Sequence, residues 1–154
     1  MKNLILFLLV CFALNLNAQK KSIPQEKIPS GIVNHLNTEF PKHSKVDWRK
    51  TDKGNFKAKF EFPNQKVTIT YASSGKWKST RRALSGEKVP NEILTVISSK
   101  YSGYKLKKYT ITTRSGKEKK FVATIINKSK EKKTLIFNNK HQFVSEKIKK
   151  SKKK

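Results

Sequence analysis

The sequence predicts an α+β fold of two tandem α-β-β-β-β units, with two helices packed on an eight-stranded antiparallel sheet. Three observations carry this expectation. A stretch of thirteen residues returns 61 positions later, and in each copy the apolar spacing then switches from about four to two. The turns between the alternating runs are too short for the crossovers that parallel strands require.

The first copy opens with residues 28–40. Pro29 is pre-set for a helix start, Ile32, Leu36 and Phe40 recur at i, i+4 and i+8, and Pro41 ends the helix. The second copy repeats this over residues 89–101 with Pro90, Ile93, Ile97 and Tyr101, capped by Gly103. Strands follow at residues 46–50, 56–62, 67–71 and 76–83. Phe56, Ala58, Phe60 and Phe62 alternate with polar residues, and Trp48 and Trp77 face inward. Turns fall at Asp52-Lys53-Gly54-Asn55, Pro63-Asn64-Gln65 and Ser73-Ser74-Gly75. The second copy places strands at residues 106–114, 121–126, 134–137 and 142–148. Gly54 matches Gly116 at offset 62, whereas Tyr71 matches Phe137 and Trp77 matches Phe143 at offset 66, so the insertions fall in turns. The first unit is thus residues 28–84 and the second 89–146, joined by a linker at 85–88. Strand order, and whether the units share one sheet, are not fixed by these patterns.

Residues 1–18 read as a secretory signal peptide: Lys2 supplies a positive start, residues 4–14 an apolar run of eleven, and Ala18 a small residue for cleavage. The rival is lipoprotein processing at Cys11, for which Leu8-Leu9-Val10 is only a loose lipobox without a small residue before the cysteine. No further apolar run reaches the roughly 18 residues of a membrane span. The expected location is periplasmic or secreted. Residues 19–27 read as a flexible lead-in and residues 147–154, with six Lys, as a disordered basic tail.

The chain has 154 residues and 35% hydrophobic residues, enough for a packed domain without disulfides or metals. Cys11 is the single cysteine, which excludes a disulfide framework, and if it leaves with the signal peptide the thiol-free mature chain suits an oxidising compartment. Thirty-six Lys and Arg against ten Asp and Glu give a net charge of +26, which becomes +25 once Lys2 is removed and far exceeds what solubility requires.

The helix-opening Pro29 and Pro90, the strand aromatics Trp48, Phe56, Phe60 and Tyr71, and the segment Tyr71-Ala72-Ser73-Ser74-Gly75-Lys76-Trp77 carry a family resemblance. Over about residues 28–146 the chain resembles the PepSY-like group of exported bacterial proteins described as β-lactamase-inhibitor-protein-like (BLIP-like), a group of unknown function. The resemblance implies a helix against a four-stranded antiparallel sheet in each half, no enzymatic activity, and a sheet face able to grip a protein. The basic charge of this chain departs from that pattern.

Residue chemistry gives catalysis little support. His35, His43 and His141 lie on a helix, a helix exit and a turn without a second ligand at metal spacing, and His35 with Glu39 reads as a helix-surface pair. Gly54, Gly75 and Gly116 sit singly in hairpins, and Asp47, Asp52, Glu61, Glu87 and Glu118 are scattered over separate elements. No enzyme activity, cofactor or metal is expected.

Charge placement is the remaining signal. With Phe56, Ala58 and Phe60 facing the helices, strict alternation sends Lys57, Lys59 and Glu61 to the opposite face. The same logic puts Arg49, Thr68, Thr70, Lys76, Lys78, Thr80 and Arg82 there. The expected ligand-binding set is Arg49, Lys57, Lys59, Thr68, Thr70, Lys76, Lys78 and Arg82, a surface suited to phosphates, carboxylates or sulfates. Lys is also the ordinary residue of a solvated antiparallel face. In the second copy Val122 and Ile126 are either covered or an exposed patch, Tyr104 is expected exposed and Tyr101 core, and residues 117–120 and 128–133 read as basic loops. Two functions follow. One is a non-enzymatic binding module for an anionic envelope polymer such as lipopolysaccharide, acidic polysaccharide or extracellular nucleic acid. The alternative is an inhibitor-like module that clasps an acidic protein. No recognition element for sequence-specific nucleic acid is visible.

Overall fold

A computed structural model describes residues 22–84 and 89–148. Residues 1–21, which hold the expected signal peptide and the start of the expected lead-in, the expected linker at 85–88 and residues 149–154 of the expected tail lie outside the described residues.

The chain folds as α1 (Ser30–Glu39), β1 (Asp47–Lys50), β2 (Phe56–Phe62), β3 (Gln65–Tyr71), β4 (Trp77–Leu84), α2 (Asn91–Lys100), β5 (Tyr104–Arg114), β6 (Lys117–Asn127), β7 (Lys132–Phe137) and β8 (Phe143–Ile148). The eight strands form one antiparallel sheet in sequence order, β1 to β8, so the expected α+β architecture is realised as a single meander. The join between the repeats is a true ladder, β4 against β5, running from Ser79 opposite Arg114 to Leu84 opposite Tyr109.

Both helices cover the same face. Ile32 and Leu36 of α1 pack with Trp48, Ala58, Phe60, Val67, Ile69 and Tyr71, while Ile93 and Ile97 of α2 pack with Tyr109, Ala123, Ile125, Leu135 and Phe137. Leu84, on the last strand of the first repeat, packs into the second cluster, so the two cores sit side by side under one sheet. Burial of each Ile, Leu or Phe contributes about 1.5–3 kcal/mol, and these clusters are the main source of stability. Pro29 and Pro90 stand at the two helix starts, and Phe40 and Tyr101 close the two helices with matching backbone angles.

Three expectations are corrected. The lead-in is attached from Ser22 onward: Ser22 bridges Arg49, the Ile23 N–H donates to the Trp48 carbonyl at 2.8 Å, and Gln25–Lys27 form a 3₁₀ turn. Ile23 packs on the first core, and this segment covers part of the β1 edge, which would otherwise invite pairing with another chain. Residues 117–120 are strand rather than loop, because Arg114 faces Lys117 and the hairpin turns through Ser115 and Gly116 alone, with Gly116 at φ 66°. Tyr104 is half-buried, its ring edge-on to Tyr101 at 6.3 Å, so neither tyrosine is free and neither is fully core.

The β3–β4 ladder carries a bulge. Tyr71 faces Trp77, but Thr70 faces Ser79, which leaves Lys78 as the extra residue. The second repeat has the same irregularity, with Phe137 opposite Phe143 and Ile136 opposite Ser145, leaving Val144. One inserted residue reverses which face every later side chain occupies.

Candidate functional site

The sheet face opposite the helices is ordered by register, since Cα partners share a face. One cross-strand row reads Lys59, Thr68, Arg81, Thr112, Lys120 from β2 to β6. Beside it, toward the other end of the strands, runs Arg49, Lys57, Thr70, Ser79, Arg114 and Lys117. Cation and hydroxyl alternate along the first row. With neighbouring strands about 4.8 Å apart, Lys59, Arg81 and Lys120 stand at intervals of roughly 10 Å.

A cavity of about 370 Å³ opens on this face, lined by Lys59, Thr68, Arg81, Lys66, Lys108 and Ala83 among others. Asp47 continues the first row on β1, opposite Lys59, and its Oδ2 accepts from Arg49 Nε at 2.8 Å, while Glu61, in the lining of the same cavity, lies 3.5 Å from Lys66 Nζ. Among the described residues no carboxylate pairs with Lys57, Lys59, Arg81, Lys108, Arg114 or Lys120. Cations thus outnumber carboxylates on the face, and hydroxyl donors stand between them.

Of the residues expected here, Arg49, Lys57, Lys59, Thr68 and Thr70 lie together on this face. Lys76 lies outside the ladder, in the connection where its carbonyl accepts from the Ala72 N–H, and Lys78 is the bulged residue. Arg82 is a correction, and Thr80 with it. Both face the helices, opposite Val67 and Ile69, because the Lys78 bulge shifts the phase of β4, and Arg81 takes the open-face place. The adjacent pair Arg81-Arg82 was the available signal, since a strand sends consecutive side chains to opposite faces. Thr112, Arg114 and Lys120 come to the face from the second repeat, whose register the sequence did not fix. In that repeat Val122 and Ile136 face each other on the open side, both partly buried, with Thr124 opposite Thr134 beside them.

The groups with shifted titration lie on the helix face. Glu146 accepts from the Tyr101 hydroxyl at 2.9 Å and pairs with Lys133 Nζ at 3.1 Å, and these partners, Tyr101 first, hold its carboxyl below the usual range. Burial, then Glu146, pushes Tyr101 up to about 12. Burial alone pushes Tyr109 up to about 12, and Tyr71 is raised by burial and then by Glu39. His35 Nδ1 is hydrogen-bonded to the Tyr71 hydroxyl at 3.0 Å, and His43 Nε2 to Asn37 Oδ1 at 3.0 Å. Among the described residues no group of three or more His, Cys, Asp or Glu is placed to hold a metal, and no helix is long and apolar enough to cross a membrane.

No protein-family model matches the chain, and no curated protein matches it in sequence. Solved structures do. A BLIP-like protein from Bacteroides fragilis superposes with a TM-score of 0.64 at 17% identity, covering 82% of this chain and 91% of its own. The fold is BLIP-like. A DUF2874 family protein from Bacteroides ovatus gives 0.64 at 15% identity over 78% of this chain and 86% of its own. A Bacteroides eggerthii protein provisionally described as periplasmic gives 0.63 at 14% identity over 78% and 88%. These proteins are of unknown function, and at such identities the likeness is one of fold. The resemblance drawn from the proline and aromatic pattern is borne out at that level, and the basic rows are features of this BLIP-like sheet read from its own residues.

Proposed function

We propose that this protein is a non-enzymatic, exported binding module whose open sheet face holds an anionic polymer of the cell envelope, such as the phosphorylated saccharide of lipopolysaccharide or an acidic polysaccharide. The observation that carries the reading is the row Lys59, Thr68, Arg81, Thr112, Lys120. Among the described residues its three cations form no ion pair with a carboxylate, Asp47 opposite Lys59 being turned to Arg49, and a chain lying across the strands meets a positive charge at every second strand. The signal-like leader and the fold likeness to a protein provisionally described as periplasmic support an envelope setting. Nucleic acid meets the same charges and should bind without sequence preference.

The test is a titration of residues 19–154 with lipopolysaccharide, and with duplex DNA as a generic polyanion, at several salt concentrations. Expected is binding that falls steeply with salt and survives truncation after Ile148. The triple variant Lys57→Gln, Lys59→Gln, Arg81→Gln should flatten the salt slope by about one per lost contact. Binding that disappears with residues 149–154 alone, or is untouched by the triple variant, overturns the reading and leaves a clasped acidic protein as the function to pursue.

A further inference from the structure

The two repeats treat the cation at the end of the helix differently. In each, a cation lies over the aromatic residue that closes the helix: Arg82 over Phe40 at 5.2 Å, and Lys133 over Tyr101 at 5.6 Å. The two cations come from opposite sides of the same cross-strand pair, since Val67 faces Arg82 where Lys133 faces Ile148, and the next pair on that face aligns Thr80, opposite Ile69, with Glu146, opposite Leu135. In the second repeat Glu146 neutralises the cation at 3.1 Å and also takes the Tyr101 hydroxyl. In the first repeat the counterpart of Glu146 is Thr80, and no carboxylate among the described residues pairs with Arg82.

The space is present as well. A cavity of about 280 Å³ opens beside α1, lined by Arg82, Phe40, Thr80, Thr113, Trp77, His35 and Glu39. Trp77 Nε1–H donates to Thr80 Oγ1 at 2.9 Å, which leaves the Thr80 hydroxyl hydrogen free to point at an acceptor. A guanidinium, two threonine hydroxyls and an imidazole thus converge where the other repeat holds its own carboxylate. Arginine offers a carboxylate two parallel donors, a geometry that a lysine cannot supply.

We infer that this cleft is a second binding site, on the face opposite the basic rows, and that it takes a small carboxylate-bearing molecule whose carboxylate occupies the place Glu146 fills in the second repeat. Glu39 gives the same cleft an acidic wall, so a zwitterion can use both charges where a simple carboxylate uses one. The site is independent of the polyanion face, which uses Arg81 and not Arg82.

The chain has two tryptophans, and Trp77 touches the site while Trp48 is buried in the first core. Nitrogen-15 correlation spectra therefore report binding through one indole signal and ignore it through the other. Sodium acetate, glycine and sodium phosphate, each at matched ionic strength, are the probes. Expected is a saturable shift of the Trp77 indole and the Thr80 amide with acetate or glycine, a stronger response to glycine if the Glu39 wall takes part, and no movement of Trp48. Arg82→Gln should weaken binding by about tenfold or more, the size of one charge-assisted hydrogen bond. Thr80→Glu, which gives Arg82 the internal carboxylate that Lys133 already has, should abolish it while keeping the spectrum dispersed. Shifts that do not saturate, that persist in both variants, or that arise with phosphate alone overturn the proposal.

Discussion

Tyr71 stands directly across from Trp77, and the residue after Trp77 bulges out of the ladder. The connection between them, residues 72–76, holds Gly75 at φ 86°. That turn sets the phase of β4, and with it the face on which Arg81 and Arg82 emerge.

Gly75→Ala should therefore destabilise the fold by about 1–2 kcal/mol, the cost of the left-handed conformation for a residue with a Cβ. Space is not the obstacle, since an added Cβ meets Ile32 Cγ1 at 3.8 Å, an ordinary contact. His141 occupies the matching position of the second repeat at φ 58°, so the fold tolerates a side chain there at that cost. Urea unfolding of Gly75→Ala and Gly75→Asn checks this: Asn, which enters the left-handed region more readily, should lose less. Equal losses in the two variants would point to packing rather than backbone.

Most of the architecture was legible because it is written twice. Ile32, Leu36 and Phe40 return as Ile93, Ile97 and Tyr101, and both stripes face the sheet. The strict alternation of Phe56, Ala58 and Phe60 placed Lys57, Lys59, Thr68 and Thr70 on the correct face. Alternation failed at β4, where one extra residue in the ladder reverses the phase without changing composition. The row from Arg81 to Lys120 was hidden for a second reason: it depends on β4 pairing with β5, a contact between repeats that no local pattern specifies. The internal comparison of Thr80 with Glu146 needed the register of both ladders.

Tyr109 carries a buried hydroxyl with no hydrogen-bond partner, and burial raises its pKa to about 12. A raised phenol pKa means that stability is complete below the ordinary value of 10 and is lost as pH climbs from there through about 12, because the unfolded chain ionises first. Tyr109→Phe should raise stability at neutral pH by roughly 1 kcal/mol and reduce the alkaline loss. Thermal unfolding between neutral pH and pH about 11 is the measurement. An unchanged alkaline limb would assign the loss to Tyr71 and Tyr101.

Glu146 is the opposite case. Its carboxyl is held below the ordinary value of 4.5, first by the Tyr101 hydroxyl and then by Lys133. A depressed carboxyl contributes stability that is present above the ordinary value and lost as pH falls through the lowered one. Glu146→Gln should be less stable than the parent at neutral pH, with the gap closing on acidification below about 4.5. Denaturant titrations at neutral and acidic pH decide this, and a gap independent of pH would mean that shape rather than charge is lost.

The last expectation concerns the sheet as a unit. Ile32 and Ile93 are equivalent residues, 1% and 0% exposed, in two separate clusters. Each truncated to Ala should cost about 2–5 kcal/mol. The clusters are joined by the six-pair β4–β5 ladder and by Leu84, which crosses from one repeat into the core of the other. Losing either core exposes one edge of that ladder and strips Leu84 or its partners of cover, so neither repeat retains an intact sheet edge alone. Both variants should unfold in a single transition, with tryptophan fluorescence, which reports Trp48 and Trp77 of the first repeat, coinciding with the far-ultraviolet signal of the whole sheet. If Ile93→Ala instead lets the circular dichroism change before the fluorescence, the second repeat melts by itself and the ladder is a seam between two independent halves.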